Sequence, residues 1–161
     1  MTEIIDFTED KKKYIKELNY EWLTRYFEIE PEDELQLNNP QNEIIDKGGH
    51  IYYAQVNKQI IGTATLIFKK PGIFELGKMA ITEKFQGKGI ANLLMKHCID
   101  NAINMGATKI ILYSNTRLTA AINLYKKFGF KEIPLLDSHY NRSDIKMELR
   151  LDIPSDTSYI Q

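Results

Sequence analysis

The spacing of hydrophobic and polar positions changes several times along this chain, and each change marks an element. A short apolar run predicts a strand over Glu3 to Phe7. Thr8 then suits the N-cap of a helix that carries Tyr14, Ile15, Leu18, Trp22 and Tyr26 at helical spacing, with Trp22 expected to anchor it against a sheet. Glu30 to Gln36 reads as a second short helix with Pro31 in its first position, and Asn39-Pro40 breaks the chain after it. At His50 the period drops to two. His50–Val56 and Ile60–Lys69 are predicted strands around the turn Asn57-Lys58, and Pro71-Gly72 turns the chain into Ile73–Ile81, which completes an antiparallel meander.

Helical spacing returns after Gly87 to Gly89, with Ile90, Leu93, Leu94, His97, Cys98 and Met105 on one stripe and Gly106 as the stop. Lys109–Tyr113 is a β-branched strand. Its place after a strand and a helix predicts parallel pairing with Ile73–Ile81. Leu118–Phe128 is a further helix ended by Gly129, and Phe130–Ile133 and Asp144–Leu151 close the sheet, the latter alternating at Ile145, Met147, Leu149 and Leu151. This order is neither doubly wound nor a bundle. It predicts an α+β fold: a mixed, mostly antiparallel central sheet with one parallel junction, flanked by helices. Residues 1–152 form a single domain, and 153–161, with Pro154, two serines and a threonine, form a loose tail.

Composition narrows the class without naming a function. A chain of 161 residues is long enough to build a core without disulfides or metal. A net charge of −1 supplies no field to draw nucleic acid or an anionic membrane. The single cysteine, Cys98, cannot form an internal disulfide, which favours a cytoplasmic setting. The N-terminus lacks a secretory pattern, and the longest apolar run, Ile60 to Phe68, is interrupted by Gly62 and two threonines, short of the ~20 residues a membrane span needs. No Cys/His group has metal-ligand spacing, so no metal is expected. Lys11 to Lys13 read as a solvated helix face rather than a nucleic-acid patch.

The segment that carries candidate chemistry is Gln86-Gly87-Lys88-Gly89-Ile90-Ala91, between strand and helix. Glycines there remove Cβ atoms where a ligand must approach the backbone, and the helix that follows leaves its first N–H groups unpaired beside the positive end of its dipole. Together these make a phosphate cradle, with Lys84 and Lys88 as rim charges. A tight turn that simply needs glycine would leave the same pattern. A nucleoside-triphosphate loop would need Ser or Thr where Gly89 follows Lys88, and a dinucleotide fingerprint would need its upstream strand in a parallel unit.

Gln86-x-x-Gly89-x-Ala91 resembles the acyl-CoA pyrophosphate motif of the GNAT N-acetyltransferase superfamily, and Asn115 through Ala121-x-x-Leu124-Tyr125-x-x-x-Gly129-Phe130 is similar to that superfamily's second conserved block. The likeness runs from about Phe74 to Leu149. It implies that Ile73–Ile81 and Lys109–Tyr113 start side by side and then splay. The pantetheine arm of acetyl-CoA would lie in the gap against the backbone of Met79, Ala80 and Ile81. The pyrophosphate would meet the amides of Gln86, Gly87, Lys88, Gly89, Ile90 and Ala91, with Asn92 close by, and the side chains of Asn115, Asn123 and Tyr125 would face the cofactor. The implied reaction moves an acetyl group from acetyl-CoA directly to a primary amine of a small molecule or peptide, with no acetyl-enzyme.

Two catalytic roles follow from the same likeness. Tyr125 matches the tyrosine that protonates or hydrogen-bonds the coenzyme sulfur; the plainer reading is a core aromatic between Leu124 and Phe128. Glu75 matches a strand position for a general base; the plainer reading is a solvated glutamate. Alternation places Glu75, Gly77 and Met79 on one face, and a backbone N–H near Met79 or Ala80 would hold the oxyanion. Glu21, Trp22 and Tyr26 are candidate walls of the acceptor pocket. In the polar run Asp137 to Arg142, His139, Tyr140 and Arg142 either touch substrate, Arg142 through a carboxylate, or belong to a solvated hairpin loop. His97 reads as a packed histidine and His50 as structural. Lys126 and Lys127 either meet coenzyme phosphates or form a solvated face. A non-catalytic acyl-CoA-binding module, a longer acyl donor and a homodimer remain open at this point.

Overall fold

Each predicted strand is present, and all of them join one sheet. In the computed structural model, which describes residues 1–138 and 140–151, seven strands are found: β1 (Thr2–Asp6), β2 (His50–Val56), β3 (Gln59–Lys70), β4 (Ile73–Ile81), β5 (Lys109–Ser114), β6 (Lys131–Ile133) and β7 (Ile145–Arg150). Their order is β1-β2-β3-β4-β5-β7-β6. Only β4 and β5 run parallel; every other neighbouring pair is antiparallel. Among the described residues four α-helices flank the sheet: α1 (Lys13–Tyr26), α2 (Pro31–Asn38), α3 (Ile90–Asn104) and α4 (Thr119–Lys127). This is the mixed α+β architecture the periodicity predicts. The predicted tail and His139 lie outside the described residues.

Local departures have local causes. The helix expected from Thr8 begins at Lys13: Thr8 makes no side-chain cap, and Glu9–Lys11 form a 3-10 turn. Pro31 does open α2, and Glu30 and Asp33 cap it reciprocally. A π-helical turn over Gln41–Ile45 follows Pro40. Trp22 is not the anchor of α1, which buries Ile15, Leu18, Asn19 and Leu23. The buried stripe of α3 is Ile90, Leu94, Met95, Cys98 and Ala102, while Leu93 and Met105 stand in solvent.

The sheet separates two apolar layers. On one face α3 and α4 pack over Leu66, Phe74, Leu76, Leu112 and Met147; on the other α1 and α2 pack over Ile51, Tyr53, Ile60 and Ala80. His97 meets the Tyr52 ring edge-on at 4.6 Å, and His50 stacks on Tyr52 and touches Phe74, so both serve packing. Trimming a fully buried member such as Leu94 to alanine would cost about 2–5 kcal/mol.

Two irregularities of β4 position the site. Its ladder with β5 runs only through Ile73↔Lys109, Phe74↔Ile110 and Glu75↔Ile111; beyond Glu75 the strands part. On its other edge, Thr65 pairs Gly77 and Thr63 pairs Ala80, so Lys78 and Met79 stand opposite Ala64 alone in a β-bulge. Lys78 takes a left-handed φ of +50°, uncommon for a non-glycine residue. The extra residue resets the alternation. Met79 and Ile81 pack with Phe74 and Leu76 under α3, so Met79 does not share a face with Glu75 as a simple two-residue period predicts.

Candidate active site

A cavity of about 650 Å³ opens where β4 and β5 diverge. Its walls are Glu75 to Ile81 of β4, the end of β5, the start of α4 with Tyr125, and Trp22 and Tyr26 of α1.

One end of the site is made of backbone. Gly87 and Gly89 have φ of +76° and +81°, and a Cβ on either would meet nothing within 4 Å. The space before α3 is therefore open, and glycine is required there by the backbone conformation. Gly89 is the N-cap of α3 and no side chain caps it, so the first N–H groups of the helix face that space. Ile90 sends its side chain into the core and offers only its amide. The Gln86 side chain donates to the Ile81 carbonyl at 2.9 Å, pinning the cradle to the end of β4. Lys84 and Lys88 are exposed beside it. Asn92 accepts from Lys127 Nζ at 2.7 Å, a bridge from α3 to α4. Asn123 is exposed on α4 and off the cavity wall. Asn115 lines the cavity, but both ends of its amide are engaged, donating to the Arg142 carbonyl at 2.7 Å and accepting from the Arg117 N–H at 2.8 Å.

The middle of the cavity holds the two titratable candidates. Tyr125 lies on its wall with its ring 6.0 Å from that of Phe130. Burial pushes its phenol up to about 12, against an opposing hydrogen bond with Ser114, so it keeps its proton at neutral pH. Glu75 is on the opposite strand, 4% exposed, with Lys69 Nζ at 3.3 Å. It is not a solvated strand glutamate.

The far end is made of side chains that the sequence reading does not single out as a group. Lys78 Nζ donates to Asp33 Oδ1 at 2.7 Å and to the Tyr140 hydroxyl at 2.9 Å. Arg142 grips both Asp33 oxygens, at 2.7 and 2.8 Å, and reaches Glu30 at 3.4 Å. Tyr140 in turn donates to Gln36 at 3.3 Å. Tyr140 is buried against Lys78 and Gln36, and Arg142 is mostly buried against the carboxylates of Glu30 and Asp33, while Pro134, Leu136, Asp137 and Ser138 of the same loop stay exposed. Arg142 is occupied by protein carboxylates rather than left free for one from a substrate. Burial would raise the fully enclosed Asp33 carboxyl, but Arg142 and Lys78 outweigh it and hold the group down at about 2. Burial pulls the Lys78 amine below the usual lysine value in spite of Asp33. The only local signals for this cluster are a lysine within an apolar strand and an acid in a first helical turn. Trp22 and Tyr26 do line the cavity, whereas Glu21 turns away to accept from the Thr82 hydroxyl and the Glu83 N–H at 2.8 and 2.9 Å.

The family model for the acetyltransferase (GNAT) family matches residues 15–130. The chain belongs to that family. Among curated proteins it is similar to the uncharacterized N-acetyltransferase YvbK of Bacillus subtilis, at 28% identity over 62% of this chain and 66% of that protein. It spans 34% to 66% of the length of the curated relatives it matches. Among solved structures, a GNAT-family acetyltransferase from Staphylococcus aureus Mu50 superposes with a TM-score of 0.84 at 21% identity, covering 94% of this chain and 99% of that one. The structure of yncA from Salmonella typhimurium with its cofactor acetyl-CoA superposes with a TM-score of 0.75 at 19% identity, covering 97% of each chain. At these identities the superpositions establish the GNAT fold. Among the described residues no group of three His, Cys, Asp or Glu is arranged to hold a metal ion, and no helix is long and apolar enough to cross a membrane.

Proposed function

We propose that this GNAT chain transfers the acetyl group of acetyl-CoA directly to a primary amine of a small molecule or peptide, in the cytoplasm. The observation that carries the reading is the parting of β4 from β5 after three ladder pairs, with Gln86 on the wall of the resulting cavity and an uncapped, glycine-led helix following it in the chain. The open space over Gly87 and Gly89 fits a diphosphate held by backbone. Acetyl-CoA supplies the activated thioester. The amides of Gln86 through Ala91, with Asn92 beside them, hold the diphosphate. The free edge of β4 at Met79, Ala80 and Ile81 offers its backbone to the extended arm, with Asn115 on the cavity wall beside it and Asn123 meeting the coenzyme outside the cavity, on the exposed face of α4. Tyr125 keeps the proton that the departing sulfur takes up, and Glu75 accepts the proton that the amine loses, directly or through water. Each proton transfer by a positioned group is worth about 10²- to 10⁴-fold. A relative named as an N-acetyltransferase and a neighbour solved with its cofactor acetyl-CoA support donor and acceptor class.

The test is to mix protein, acetyl-CoA and a panel of amines and follow thiol release, with calorimetry of coenzyme A beside it. Heat on binding and release of thiol with at least one amine are expected. Binding without turnover on any amine would favour the non-catalytic module, and the absence of binding would end the reading altogether.

A further inference from the structure

The bulge in β4 is built around a lysine at a backbone conformation that glycine adopts far more easily, and that lysine is buried. Both choices are costly. A left-handed conformation strains a residue with a Cβ, and an enclosed ammonium loses its hydration. The side chain must therefore gain something that glycine cannot. Its Nζ reaches Asp33 of α2 at 2.7 Å and the Tyr140 hydroxyl at 2.9 Å, with the Tyr140 ring 4.5 Å away, while its own carbonyl accepts from Asn19 of α1 at 3.2 Å. Arg142 closes the cluster on Asp33. Three segments distant in sequence, α1, α2 and the loop before β7, meet at one residue of β4, next to the stretch where β5 no longer supports that strand.

We propose that Lys78 and Asp33 are positioning residues, whose buried ion pair holds the bulge of β4 so that the backbone of Met79 to Ile81 faces the acetyl donor. The inference rests on the function proposed above. On the unsupported half of β4, β3 holds one edge through its ladder, and the Lys78 tether takes the place of β5 on the other side of the bulge. In this proposal neither residue touches the reacting atoms; Lys78 borders the cavity, and the pair acts by fixing the backbone of β4.

Four variants test this. Lys78→Met keeps the bulk and leaves Asp33 still paired with Arg142. Lys78→Gly removes both the tether and the backbone strain. Lys78→Arg retains a cation, and Tyr140→Phe deletes only a hydroxyl. The readouts are the acetyl-CoA Kd by calorimetry, KM and kcat separately, circular dichroism, and amide exchange over Gly77–Ile81. The Met and Gly variants should remain folded, bind acetyl-CoA about tenfold more weakly and exchange faster in that stretch, with Lys78→Arg restoring part of the affinity and Tyr140→Phe showing a smaller shift of the same sign. Lys78→Gly with wild-type Kd and exchange would overturn the proposal, because the backbone alone would then set the bulge. Should a Lys78 variant fail to fold, unaltered exchange and Kd in Tyr140→Phe would overturn it equally. Wild-type protein that binds no acetyl-CoA would sink the functional reading, while the exchange difference would still report on the tether.

Discussion

Two regions that flank the cavity are built by opposite means. The cradle before α3 is backbone: two left-handed glycines, an uncapped helix start and residues contiguous in the chain from Gln86 to Ala91. The far end is side chain: Lys78, Asp33, Tyr140 and Arg142, up to 109 positions apart, locked into ion pairs and hydrogen bonds. A backbone site tolerates any side chain that keeps its torsions, so it should be fragile to shape and indifferent to charge. A network of buried charges should be fragile to charge and to acid.

The middle of the cavity, shared by both ends, should respond most strongly. Tyr125→Phe is expected to lower kcat by about 10²- to 10⁴-fold while leaving the calorimetric affinity for acetyl-CoA almost unchanged. Full activity in that variant would remove the proton-donor role. Glu75→Gln should lower kcat by about 10²-fold, again without a matching loss of coenzyme affinity; equal turnover would place the base elsewhere.

The charge network has a pH signature. The Asp33 carboxyl sits at about 2 in the folded chain and near ~3.9 when unfolded, so the folded state holds the charged form more tightly. That stability, about 2 kcal/mol, is fully present above roughly pH 4 and is lost as pH falls toward 2. Urea midpoints measured between pH 6 and pH 2.5 should show this acid loss in the wild type and a flatter profile in Asp33→Asn; identical slopes would break the contrast between the ends. At the cradle, Gly89→Val forces a β-branched residue into a left-handed conformation and places atoms in the open space, and should weaken coenzyme binding about tenfold with kcat at saturation little changed. The mildest change is Asn123→Ala on the exposed face of α4, expected to raise the acetyl-CoA KM about threefold or less; a loss as large as that of Gly89→Val would mean that the coenzyme reaches further along α4.

This contrast also explains what could be read from the chain. The meander of β2 to β4, the single parallel junction and the glycine turn before α3 follow from short-range patterns: the period of two through β2 to β4, the glycines before α3, the alternation of Ile145, Met147 and Leu149 in β7; the insertion of β7 between β5 and β6 does not. The place of Tyr125 beside the cavity was legible because its block is contiguous. The bulge was not, since it arises from how Thr63 and Thr65 of β3 pair with β4 and leaves no mark in the β4 sequence except an unexplained lysine. Asp33 looks like any acid in a first helical turn, and it does cap α2 through the Glu30 N–H at 2.9 Å. Its pairing with Lys78, 45 positions away, depends on the folded topology. Trp22 misled for a related reason: its spacing marks the inner stripe of α1, yet the cavity it borders leaves that ring half covered.

The brief ladder between β4 and β5 divides the sheet into two panels with a seam of three residue pairs. Any molecule that lodges in this seam and bonds to both margins acts as a rivet. By mass action, such a rivet adds resistance to unfolding in proportion to the logarithm of its concentration. For the donor proposed above, survival of the folded chain would thereby be coupled to its supply, and scarcity would show first as a loosening along the midline of the sheet.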